Sequence, residues 1–272
     1  MRRTIGMLAI AASLTAAGCA TKTTVDDVVN KMTQSLGGAE KAASIQDQVS
    51  TWDTNTTMKM EGDSSMTMSG PMTITYKRPN KIKFETKDQN GHVGYLSVFD
   101  GTNGWIYMVG PTGPSLRDMS PAEIQETTIL AENWVGGWHG YAEKGFKLAL
   151  MSDTTMNGKA YHRLQATDRF GNVSMNYNNA QTGLCERTDA DLTNSMAMKT
   201  AYVRTFTDYA AHDGLMMAGK FMQRDVQGME TFKAILKEVK HNTGLADDAF
   251  AKPAPPAEHP SEHPTEHPSE KK

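Results

Sequence analysis

The chain has 272 residues and a net charge of −3 with 22% charged residues, so it lacks the basic field that nucleic-acid binding demands. That length allows one large or two small domains, and all-β folds of this size are often single. Aromatic residues make up only 7%, against 19 methionines and 23 glycines, so soft, unbranched side chains must fill much of any core.

The first segment reads as targeting sequence, not as part of the fold. Arg2 and Arg3 precede an apolar run over residues 5–17, which is too short to span a bilayer. It ends in LTAAGC, with small residues directly before Cys19. This resembles the bacterial lipobox, although Ala16 stands where leucine is usual. The resemblance implies cleavage after residue 18, acylation of Cys19 and, with Ala20 following the cysteine, sorting to the outer membrane. An ordinary signal peptide cut at an A-x-A-like site is the alternative. Three acyl chains would exceed the two anchoring signals that stable attachment requires. With Cys19 acylated, Cys185 has no disulfide partner. Residues 19–23 then form a lipidated tether, and a folded domain is expected over 24–252.

Residues 24–36 predict a helix, because Val25, Val28, Val29, Met32 and Leu36 recur at helical spacing. Thr23 and Thr24 are possible N-caps, Asp26 and Asp27 favour the positive end of the dipole, and Gly37-Gly38 stops the helix. Residues 39–45 add a turn or two. From about residue 50 the period changes to two. Within 57–76 (TMKMEGDSSMTMSGPMTITY), Met58, Met60, Met66, Met68, Met72, Ile74 and Tyr76 are all even-numbered, while threonines, serines and charges fill most odd positions. That parity predicts a hairpin and strand with one soft apolar face. Further strands are expected at 81–86, 95–99 and 105–108, with the Gly- and Pro-rich stretch 110–114 read as a loop. The run Ser120-Pro121-Ala122-Glu123 is a capping box with proline at the first helical position, so a helix runs to about Asn133. Strands resume at 147–151, 160–168, 173–178, 185–192, 197–209, 220–224 and 231–239. Many short strands with few helices predict a mainly β, α+β fold: one curved antiparallel sheet forming an incomplete barrel. Residues 253–272 repeat Glu-His-Pro, and proline at every fourth position predicts a disordered, polyproline-biased tail.

Two motifs carry a family resemblance. KRPNKIKF over 77–84 and DGTNGWIY over 100–107 resemble the R-P-x-x-F-R strand and the D-G-x-x-x-W-x-Y hairpin of LolA/LolB-type outer-membrane lipoprotein-sorting proteins. Lys83 stands where that family has arginine. Leu36-Gly-Gly38, the strand ending in Asp213-Gly214, and the stretch from Val239 to Phe250 and Pro253 extend the resemblance over roughly 24–253. The resemblance implies a half-open antiparallel barrel with a few short helices closing an apolar cavity for acyl chains. It also implies a periplasm-facing carrier at the outer membrane, with lipid or an acylated lipoprotein as ligand. A sensor of envelope lipid or stress, working through a protein partner, is a second reading of the same fold.

The sites follow from these patterns. Met58, Met60, Met66, Met68, Met72, Ile74 and Tyr76, with Phe84, Trp105 and Tyr107, are the expected lining of the cavity, and Met175, Met196 and Met198 extend it. Methionine is a poor strand former beside valine or isoleucine, but its flexible thioether adapts to flexible ligands. The alternatives are a plain core and a Cu(I) site, since thioethers are soft ligands. Neither histidine nor cysteine lies in 57–76. Trp134 and Trp138 are expected to shape the cavity or its lid. Arg78 and Pro79 are expected to set a turn. In the tail, His259, His263 and His267 are weak metal candidates, because a polyproline path rotates successive histidines apart. No cofactor is expected. No catalytic motif of the G-x-S-x-G, H-E-x-x-H or phosphate-loop kind is present, so the protein reads as a binding module and not an enzyme.

Overall fold

The computed structural model describes residues 22–59, 65–88, 90–110, 113–193 and 199–254. The first helix, α1 (Val25–Ser35), starts at a capping box. Thr24 Oγ1 accepts from the Asp27 N–H, and Asp27 Oδ2 accepts from the Thr24 N–H at 2.8 Å. A short α2 (Ala39–Ser44) follows the glycine pair. Arg78 holds its far end, donating Nε to the Ile45 carbonyl at 2.6 Å and Nη2 to the Ala42 carbonyl at 2.7 Å. The arginine of the family-like motif is thus a structural tie between α2 and the turn after β2.

The first meander is β1 (Asp47–Lys59), β2 (Ser65–Lys77), β3 (Lys81–Lys87), β4 (Val93–Phe99), β5 (Gly104–Gly110) and β6 (Gly113–Asp118). Helix α3 (Pro121–Glu132) leads to the second: β7 (Lys147–Met156), β8 (Lys159–Thr167), β9 (Val173–Asn179), β10 (Cys185–Thr193), β11 (Lys199–His212), β12 (Leu215–Asp225) and β13 (Glu230–His241). Strand β6 falls in a stretch that sequence patterning leaves as loop. It opens on Gly-Pro and lies at the sheet edge, where a proline facing outward costs no ladder bond. The observed strands β7, β12 and β13 also run longer than their apolar cores.

All neighbours pair antiparallel in one 13-stranded sheet, ordered β6-β5-β4-β3-β2-β1-β13-β12-β11-β10-β9-β8-β7. The first and last strands meet in the middle, where Thr54 pairs with Ala234 and Thr56 with Phe232. The two edges, β6 and β7, are consecutive in the chain. The connection between them must therefore cross the open side of the sheet, and α3 makes that crossing. It touches β3 and β10, strands six places apart in the sheet. A flat sheet would separate them by about 29 Å at ~4.8 Å per strand, so the sheet must curl round the helix. Register shifts between Thr51 and Trp52, and again between Gln223 and Arg224, mark irregularities that help long strands bend. The result is a mainly β, unclosed half-barrel.

Both ends of α3 are clamped. Arg117 on β6 pairs with Glu123 through two bonds, Nη1 to Oε2 at 2.8 Å and Nη2 to Oε1 at 2.7 Å. Glu123 also completes the Ser120 capping box expected from sequence. At the other end, Arg169 in the β8–β9 turn holds Glu132 at 2.6 and 2.9 Å. Beneath the first turn, Gly104 leaves no room for a side chain, because a Cβ there would run into Met119 and Ile124.

Candidate functional site

Register decides which residues share the concave face. Even positions of β1 and β2 do: Trp52 pairs with Met72, Ser50 with Ile74 and Gln48 with Tyr76. The face continues across Phe84 and Phe99 on one side, and across Phe232, Ala234, Leu236, Phe221 and Arg204 on the other. Trp52, Met72, Ile74, Ile82, Phe99 and Ala234 form the core under Ala131 of α3, with Phe84, Trp134, Phe221 and Phe232 packed around it. Tyr76 joins Ala42, Ile45, Val135 and Leu215 beneath α2. Helix α1 covers the far side, where Val28 and Val29 meet Leu164.

The methionine parity holds, but the face it defines divides in two. Met72, Ile74 and Tyr76 are closed-off core, at 5, 1 and 1% exposure. Met66 and Met68 lie beyond the cover, at 41 and 50%. The reason is reach: β2 has 13 residues, about 44 Å at ~3.4 Å per residue, whereas α3 lies across the strands and covers about its own diameter, ~10 Å, along each of them. Met58 pairs with Met66 across the hairpin; its side chain, and all of Met60, lie outside the described residues.

Trp105 and Tyr107 are not brought together with this face. Ser97 and Ile106 pair on the concave side, so Trp105 and Tyr107, one residue away, point to the convex side. Trp105 is buried there with Val98 and Phe250. Met175 is likewise displaced: its neighbour Asn176 accepts from Thr188 Oγ1 at 2.9 Å on the concave side, leaving Met175 on the other. Phe84 sits on the concave face edge-on to Trp134, with centroids 6.0 Å apart. Trp138 packs edge-on against Phe146 at 5.0 Å near α1. Cys19, Met196, Met198, His259, His263 and His267 lie outside the described residues. Cys185 is free. Among the described residues no group of three His, Cys, Asp or Glu side chains could hold a metal, and no helix is long and apolar enough to cross a membrane.

Above the filled core, toward the hairpin tips, the concave face is only partly covered. Phe221 stacks on Phe232 with centroids 5.3 Å apart and meets Trp52 edge-on at 5.5 Å. Met66 and Met68 flank this aromatic group on one side, and Tyr202, Arg204 and Gln223 on the other. The band crosses β2, β1, β13, β12 and β11, a width of about 19 Å. Sequence reasoning missed Trp52, Phe221, Phe232 and Arg204. Two signals were available: Trp52 shares the even parity of Met58 and Met72, and Phe232, Ala234 and Leu236 alternate on their own strand.

No protein-family model matches the sequence, and no match is found among curated proteins. Solved structures do share the fold. A DUF1329 family protein from Desulfovibrio piger superposes with a TM-score of 0.56 at 12% identity, covering 84% of this chain and 97% of that one. A LolA superfamily protein from Nitrosomonas europaea gives 0.56 at 12%, covering 85 and 99%. A domain described as an outer membrane lipoprotein-sorting protein from Vibrio parahaemolyticus gives 0.53 at 13%, covering 83 and 95%. The chain therefore has the LolA-like half-barrel fold that its KRPNKIKF and DGTNGWIY motifs resemble.

Proposed function

We propose that the protein is an envelope lipoprotein, anchored in the outer membrane through Cys19 and facing the periplasm, whose concave face receives an acyl chain of a lipid or of another lipoprotein. The observation that carries this reading is the partly covered band of Phe221, Phe232, Met66 and Met68 above a filled core. It lies in a fold shared with a lipoprotein-sorting domain. Each methylene moved from water onto such a surface contributes about 0.8 kcal/mol, so one long chain supplies enough driving force without any covalent chemistry. Methionine suits the rim because its side chain follows a flexible ligand.

Native mass spectrometry of the protein purified from the envelope tests the reading. Co-purifying phospholipid or acylated peptide is the expected result; a stoichiometric copper ion and no lipid would overturn it. Met68→Asp should weaken lipid retention at least tenfold, whereas Thr67→Asp on the opposite face should not, and equal losses would show that the band is not the binding surface. The anchor has its own test. Cys19→Ala should release the protein from the membrane fraction, and a variant still retained there would mean that Cys19 carries no anchor.

A further inference from the structure

Arg204 is a cation placed among aromatic rings, with no counter-ion among the described residues. Its guanidinium carbon lies 5.0 Å from the Tyr202 ring centroid and 5.7 Å from that of Phe221. Nη2 donates to Gln223 Oε1 at 2.7 Å, and Gln223 Nε2 reaches on to Thr231 Oγ1 at 3.5 Å. Nε is buried and has no hydrogen-bond partner. Three other arginines are neutralised, Arg117 by Glu123, Arg169 by Glu132 and Arg187 by Asp189, while Arg78 and Arg163 donate to backbone carbonyls instead. Among the described residues no carboxylate lies within ion-pair distance of Arg204.

A planar guanidinium held by the two rings and by one amide keeps its Nη1 hydrogens and the second Nη2 hydrogen for a bidentate anion, while the Nε–H stays buried. Its position at one side of the apolar band gives that anion an address. An amphiphile lying across Phe221 and Phe232, with its tail toward Met66 and Met68, would bring its polar end to Arg204. The cost of a cation in a half-buried aromatic setting is offset once a charged oxygen pairs with it. Resting on the acyl-binding reading above, we propose that the ligand of the concave face is an anionic amphiphile whose phosphate head is paired by Arg204, so that head charge as well as chain length selects what is bound.

The full chain, stripped of co-purified lipid, would be titrated with lysophosphatidylglycerol and the phosphate-free monoacylglycerol of equal acyl length, below their aggregation concentrations, and with glycerol 3-phosphate. The anionic lipid should bind about tenfold more tightly than the neutral one, as a charge-assisted pair supplies. Arg204→Gln should bring that ratio to about one, and Arg204→Lys, which keeps the charge but not the planar fork, should restore only part of it, with unfolding curves confirming that both variants fold. Equal affinities in the unaltered protein, or a ratio that survives Arg204→Gln, would overturn the head-group assignment while leaving acyl binding intact. Glycerol 3-phosphate binding as tightly as the lysolipid would mean a free-anion site instead. If neither amphiphile bound, the acyl-binding reading would fall, and the assignment of Arg204 with it.

Discussion

Replacing Asp47 with alanine is expected to lower stability by about 3–4 kcal/mol, because one buried carboxylate satisfies four donors. It accepts from the Thr243 N–H at 2.6 Å, Thr243 Oγ1 at 2.8 Å, the Gly244 N–H at 2.9 Å and the Leu245 N–H at 3.2 Å. Those residues begin the segment that leaves β13 and ends at Phe250, the fully buried ring of the convex cluster. Lys77 reinforces the same segment, donating to the Leu245 carbonyl and to Asp247, each at 2.7 Å. An asparagine in place of Asp47 would keep one acceptor oxygen, so Asp47→Asn should cost roughly half as much in the same denaturant titration. Burial pushes the Asp47 carboxyl up, but the Thr243 hydroxyl and the three backbone N–H groups outweigh it and hold the group below the ordinary aspartate value. Its contribution is therefore complete above the unfolded pKa of about 3.9 and is lost as pH falls through the lower, folded value. The stability gap between the unaltered protein and Asp47→Ala should shrink from pH 5 to pH 2. A gap independent of pH over that range would show that the carboxylate charge is not what holds the segment.

Trp52→Ala should cost about 3–5 kcal/mol, the range for deleting a large core side chain. Trp52 is 4% exposed and fills the space beneath α3 together with Met72, Ile82, Phe99 and Ala131. Its indole N–H donates to Ser50 Oγ at 2.9 Å, and its edge supports Phe221 at 5.5 Å. Truncation would open a void at the point where the two meanders join and would remove the floor from under the aromatic band. Trp52→Phe keeps most of the ring contact and should cost about 1–2 kcal/mol. Thermal or denaturant unfolding measures both. A loss below about 1 kcal/mol for the alanine variant would mean that the core collapses onto the gap and that α3 does not depend on this residue.

Much of the local architecture was legible because its causes are local. The Thr24–Asp27 and Ser120–Glu123 capping boxes depend on residues three apart, and both form. The strand series follows from period-two alternation between turn residues, which a chain of independent hairpins obeys almost anywhere. Strand β6 escaped because its short GPSLRD run carries a proline and no alternation, and only its place at the sheet edge makes it a strand.

The site was less legible, because parity is relative within each strand until registers join them. Met66 through Tyr76 share one face at their even positions, as their numbering implies. Trp105 and Tyr107 belong to the opposite face, and nothing within GWIYMVG says so; only the pairing of Ser97 with Ile106 does. Arg204 reads as an ordinary strand cation until β11 is laid beside β12 and its guanidinium meets Phe221 and Gln223.

By itself the sequence determined the caps, the strand periodicity, the two-faced methionine hairpin and the motifs of a LolA-like half-barrel. Each arises from interactions between residues close along the chain, where propensity and spacing act directly. Tertiary structure alone decided that β1 closes on β13, that α3 bridges the two arms through Arg117 and Arg169, and how far the cover extends. Those outcomes rest on contacts between residues far apart in sequence, and on the limited width of a helix laid across long strands. That width is what leaves Met66 and Met68 outside the core while Met72 and Ile74, on the same strand and the same face, lie within it.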